Sequence, residues 1–125
     1  METVSPNIFV NNIQETIEFY KILGFQVDAS VPDASGKLIF VLMSNGSVTF
    51  MFQTFESLGD KLPMVSRNPG GSLLLYVKMK GIRSFYEALK SKMTVLTSLE
   101  KTFYGATEFS IQDNNNYLIT FAEDE

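Results

Sequence analysis

An α+β fold of two βαβββ modules, with curved mixed sheets forming a cavity, is what this sequence predicts. Three observations carry that reading. Apolar residues alternate, then fall at helical spacing, then alternate again, in the order strand–helix–three strands. The same order occurs a second time along the chain. Phe19-Tyr20 with Leu23 in the first predicted helix returns as Phe85-Tyr86 with Leu89 in the second, an internal repeat at the level of a whole module. Each sheet buries one apolar face beneath its helix, and its other face is expected to be covered by the twin module.

The elements follow in order. Residues 7–11 predict a short strand, and Asn12 is placed to cap a helix. Ile13, Ile17, Tyr20 and Leu23 share one face of that helix, while Glu15, Glu18 and Lys21 share the other. Gly24 is the stop signal. Strands are predicted over 25–31 and 37–43, separated by the turn-forming run Pro32-Asp33-Ala34-Ser35-Gly36. Ser44-Asn45-Gly46-Ser47 marks a tight hairpin, and residues 48–53 return as its partner strand. Period-two alternation along that strand sends Thr49, Met51 and Gln53 to one face and Val48, Phe50 and Phe52 under the helix. Residues 54–71 lack a clear period and predict a connection with a short helical piece near 56–60. The second module then runs as a strand over 72–78, a helix over 81–92 and a strand over 94–99. A turn at Tyr104-Gly105 leads into a final hairpin of strands 107–112 and 117–123 around Asp113-Asn114-Asn115-Asn116. The division expected is one domain over 1–125, with modules at 1–56 and 72–125 joined by 57–71.

Composition removes several functions. The formal net charge is −4 with pI about 4.8, so a phosphate backbone is repelled and nucleic acid is not an expected partner. No apolar run is long enough for a membrane span, and METVSPNIFV lacks the pattern of a signal peptide, so a cytoplasmic location is expected. The chain has no Cys and no His. Thiolate nucleophiles, Zn–S sites, Ser–His pairs and an imidazole base are therefore all absent. Asn68-Pro69-Gly70-Gly71 lacks the Lys-Ser or Lys-Thr of a phosphate loop and reads as a turn. Phe is abundant at 11 residues beside 5 Tyr, enough to fill a core and to line a cavity or an interface as well.

Phe19-Tyr20-Lys21-Ile22-Leu23-Gly24-Phe25 resembles the FYxxxLGF signature of the glyoxalase / bleomycin-resistance / extradiol-dioxygenase superfamily, the vicinal oxygen chelate proteins. Tyr104-Gly105, Phe109, Asp113 and the close on Phe121-Ala122-Glu123 are similar to the ending of that family. The hairpin departs from its DPxGN pattern, but Asn116 tolerates the positive φ that Gly would supply. The resemblance implies four metal-ligand positions, on the first and last strands of each half. Here they fall on Ser5, Met51, Ser72 and Thr120. A register change of two residues keeps the face and substitutes Asn7, Thr49 or Gln53, Leu74, and Leu118 or Ala122. No such set makes a catalytic site for Zn, Ni or Fe.

The resemblance therefore points to the metal-free branch: a small-molecule binding protein of the bleomycin-resistance type, with no cofactor and no catalytic residue, sequestering a small hydrophobic or aromatic ligand in an apolar groove. It also implies a homodimer. The ligand-contacting residues expected are Thr49, Met51, Gln53, Tyr76, Tyr104 and Thr120. Glu108 and Glu123 are carboxylates near this region and read first as surface residues. Lys61 and Arg67 in the connection are placed to clamp an anion or to stand exposed. A divalent-metal lyase or isomerase and a non-catalytic dimeric scaffold are the competing functions.

Overall fold

The computed structural model describes residues 1–125 and divides into two compact units, Met1–Pro69 and Gly70–Glu125. The first holds β1 (Asn7–Val10), α1 (Ile13–Ile22), β2 (Gln26–Pro32), β3 (Leu38–Asn45), β4 (Val48–Thr54) and the short α2 (Phe55–Leu58). The second holds β5 (Leu74–Lys78), α3 (Ile82–Leu89), β6 (Thr94–Lys101), β7 (Ala106–Gln112) and β8 (Leu118–Asp124). Each unit carries one four-stranded mixed sheet, ordered β1-β4-β3-β2 and β5-β8-β7-β6. The first strand of each unit pairs parallel with the last, and the remaining pairs are antiparallel. The βαβββ order predicted from the repeat is therefore the order observed.

In the first unit Asn12 caps α1, its Oδ1 accepting from the Glu15 amide at 2.9 Å. Tyr20 is the centre of the core, completely buried, with its ring 4.7 Å from Phe52 and 5.5 Å from Phe25. Gly24 ends the helix at φ +92°, a conformation that favours glycine. A Cβ there would lie 2.9 Å from the Asn45 side chain, which donates to the Leu23 carbonyl. The N-G hairpin thus locks onto the helix end. Along β4, Phe50, Phe52 and Thr54 are buried, while Thr49, Met51 and Gln53 alternate onto the other, partly exposed face.

In the second unit Phe85 and Tyr86 of α3 pack on Phe109 and Phe121, with Ile82 and Leu89 buried at either end. The helix is shorter than the predicted 81–92. Lys90, Ser91 and Lys92 bring no apolar side chain to the sheet, and a short helix lasts only as far as its packing. β6 is longer than predicted, because register irregularities between Val95 and Thr97 and between Thr97 and Glu100 absorb residues whose alternation is broken. Asn116 turns the last hairpin at φ +68°. β5 begins at Leu74, so Ser72 lies outside the strand that was predicted to include it. No helix is long and apolar enough to cross a membrane.

Candidate functional site

Each sheet has one face under its helix and one face turned away from it. Five of the six candidate residues lie on these second faces, and Tyr104 stands in the turn before β7. In the first unit, Thr49, Met51 and Gln53 stand in a row along β4. Asn7, the Cα partner of Met51, donates to Gln53 Oε1 at 3.0 Å, and Gln53 donates on to Ser57 Oγ at 3.1 Å. Phe9 stacks on Phe55 at 6.0 Å. The result is a polar relay beside a stacked aromatic pair, with Met51 as the adaptable apolar member.

The second unit carries the more specific constellation. Tyr76 on β5 and Tyr104 in the β6–β7 turn both donate their hydroxyls to Oε2 of Glu108 on β7, the second at 2.5 Å. Tyr76 reaches Glu108 across β8, where its own Cα partner is Thr120. Thr120 is only 5% exposed and shares a hydrogen bond with Ser110 Oγ at 2.8 Å, so it forms the floor rather than a projecting contact. The two tyrosines keep 47% and 57% of their surface exposed. Their bond to the Glu108 carboxylate favours the protonated phenol and, with some desolvation, raises both from the ordinary value of 10.0. Both rings are therefore neutral donors, fixed at the hydroxyl end and open along their flanks.

The six predicted contacts thus form two groups, Thr49, Met51 and Gln53 in one unit and Tyr76, Tyr104 and Thr120 in the other. Glu108 reads in the sequence as a surface carboxylate, but it joins the two tyrosines. Its signal was the alternation of β7, which puts it on the face of Ser110 and Gln112, and its place four residues after Tyr104. Glu123 is neither a free strand end nor a cavity group. Its carboxylate accepts from the Gly81 and Ile82 amides at 3.2 and 3.0 Å and caps α3, which starts on a glycine with no side chain to do so. Arg67 binds the carbonyls of Gly59 and Lys61 at 3.0 and 2.8 Å, holding the connection in shape. Two open recesses, of about 240 Å³ beside Lys78 and Asp124 and about 250 Å³ beside Asn12 and Lys37, include none of the six.

The fold's metal chemistry does not fit these residues. Ser5 precedes β1, Ser72 precedes β5, Met51 offers a thioether, and the Thr120 hydroxyl is already bonded to Ser110. No group of three or more His, Cys, Asp or Glu side chains converges anywhere. Neutral hydroxyls and a thioether do not hold a divalent transition metal.

Residues 3–121 match the profile of the Glyoxalase/Bleomycin resistance protein/Dioxygenase superfamily, and the chain belongs to that family. Among solved structures it is similar to TioX from Micromonospora sp. ML1, with TM-score 0.78, 12% identity and full coverage of both chains. It is likewise similar to a protein of unknown function from Agrobacterium tumefaciens str. C58, with TM-score 0.79, 23% identity, and 100% of this chain and 95% of that chain covered. A bleomycin-binding protein complexed with bleomycin matches with TM-score 0.66, 20% identity and full coverage of both chains. At these identities the likeness is one of fold. No curated protein matches the sequence.

Proposed function

We propose that this protein is a metal-independent small-molecule binding member of its superfamily, which holds a ligand through the sheet faces turned away from the helices. The observation that carries the reading is the pair of half-exposed tyrosine rings whose hydroxyls are already anchored. A ring held at one end loses little freedom when a ligand covers its flank, so binding there costs less ordering. Leu74, also exposed, lies on the same face of β5 and adds apolar area. Thr49, Met51 and Gln53 supply the equivalent face of the first unit. The similar bleomycin-binding protein holds a small molecule on this fold. Sequestration of a drug-like aromatic compound is the role that follows, by one domain built of two modules and acting as a homodimer. The metal-dependent lyase lacks its ligands.

The test is thermal unfolding against a panel of flat aromatic and cationic compounds, with sedimentation to give the oligomeric state. A ligand at tenfold over its dissociation constant stabilises by about 1.4 kcal/mol. That is a rise of several degrees in a chain of this size. Y104A is expected to abolish the rise. A panel that leaves the melting temperature unchanged rejects the binding role, and a monomer in sedimentation rejects the homodimer.

A further inference from the structure

We infer that the Tyr76–Glu108–Tyr104 cluster selects an organic cation, an amine or quaternary ammonium carried on an apolar or aromatic body. This rests on the binding role proposed above and names the class of ligand.

Charge is the first ground. Glu108 has no lysine or arginine partner: the ion pairs join Lys37 to Glu56, Lys78 to Asp124, Arg83 to Glu125 and Lys90 to Glu87. Lys78, the cation on the same face of β5, is held by Asp124 at 3.0 Å. The Cα partner of Glu108 on β6 is Glu100, a like charge directly opposite, which a sheet normally avoids. Both tyrosine hydroxyls land on the same oxygen, Oε2. They orient the carboxylate without neutralising it, and Oε1 remains available to a donor.

The rings are the second, separate ground. Tyr76 and Tyr104 flank the carboxylate with half-exposed faces, and the fully exposed Phe103 sits edge-on to Tyr104 at 5.0 Å. Aromatic faces attract cations through their quadrupole, more strongly where water is partly excluded. Here two tyrosines converge on one unpaired carboxylate, and their flanks are kept open. An anionic ligand would meet Glu108 and Glu100 together, and a neutral one would leave their charge uncompensated.

Benzyltrimethylammonium and benzyl alcohol test this as a matched pair, titrated by NMR into the full chain and into E108Q, Y76F and the control E18Q, whose carboxylate lies on α1. Far-ultraviolet circular dichroism checks that each variant is folded. The expected result is about tenfold tighter binding of the ammonium than of the alcohol by the unaltered chain. E108Q should lose most of that preference, its affinity for the ammonium falling far more than its affinity for the alcohol. E18Q should keep the preference. Y76F, which keeps the ring and loses one hydroxyl, should retain part of it. Equal affinity for the two probes, or a preference that survives in E108Q, overturns the cation inference. An equal loss in E18Q does the same, because net charge would then explain it. In the first of these cases, saturable binding of the alcohol still supports the binding role. If neither probe saturates, both readings fail.

Discussion

Glu108 shows how one side chain acquires a role from two others. Alone on an edge-proximal strand it is a surface carboxylate. With Tyr76 and Tyr104 donating to one of its oxygens it fixes two rings that would otherwise rotate freely. The arrangement has a titration signature. The two phenols have raised pKa values in the folded chain, so the folded state holds their protons longer than the unfolded state does. Their contribution to stability is fully present below the unfolded value near 10 and is lost as pH rises through the folded values. Titration of tyrosinate absorbance should show Tyr76 and Tyr104 ionising above 10.0, and E108Q should move those two back toward it. Unchanged titration in E108Q would show that the carboxylate does not hold them. Glu123 is the second such residue. Its carboxylate supplies the cap that Gly81 cannot, so Glu123→Ala should destabilise the fold by about 0.5–2 kcal/mol in denaturant melts, with the helix end the first to fray in hydrogen exchange. A change within error would mean that solvent caps α3 equally well.

The two helices and their sheets were legible because their signals are local and periodic. Asn12, the 13/17/20 stripe and Gly24 define α1 without reference to anything distant, and the alternation of β4 placed Phe50 and Phe52 inside and Met51 outside correctly. The losses occurred where a long-range partner decides. Nothing near Gly81 announces that a carboxylate 42 residues later will cap it. Nothing in the Ser98-Leu99-Glu100 run says where β6 bulges, because a register is set by the neighbouring strand. The partners of Glu108 were not legible for a related reason: they lie 32 and 4 residues away on different elements. The element cores carry their own prediction. Phe52 is fully buried on β4 against Tyr20 and Phe50, so Phe52→Ala should cost about 3–5 kcal/mol by the size of the cavity left. Met51→Ala, on the same strand but the other face and partly exposed, should cost clearly less. Equal losses in urea melts would show that the two faces of β4 are not as different as their burial.

The superfamily architecture is kept here, while the positions that the resemblance assigns to metal donors carry no imidazole, thiolate or carboxylate. The positions that the resemblance assigns to ligands hold Ser5, Met51, Ser72 and Thr120, and Tyr76, the strand partner of Thr120, joins Tyr104 on the Glu108 carboxylate. Fold and function separate cleanly in such a case: the sheets remain because the buried faces still need their helices, while the opposite faces are free to change. The net charge of −4 is small, so in the proposed binding role local groups would outweigh the overall field. Chelation separates a binding protein from a metal-dependent relative. Protein purified without chelator should contain only substoichiometric transition metal by elemental mass spectrometry. Prolonged treatment with EDTA should leave both the melting temperature and the ligand-induced rise unchanged, because no ligand set for a metal contributes to either. If instead one metal per chain copurifies, and its removal lowers the melting temperature, then oxygen ligands other than these four are assembling a site. The enzymatic reading would then replace the binding one. If metal is absent and the ligand rise persists, the binding reading stands without a metal.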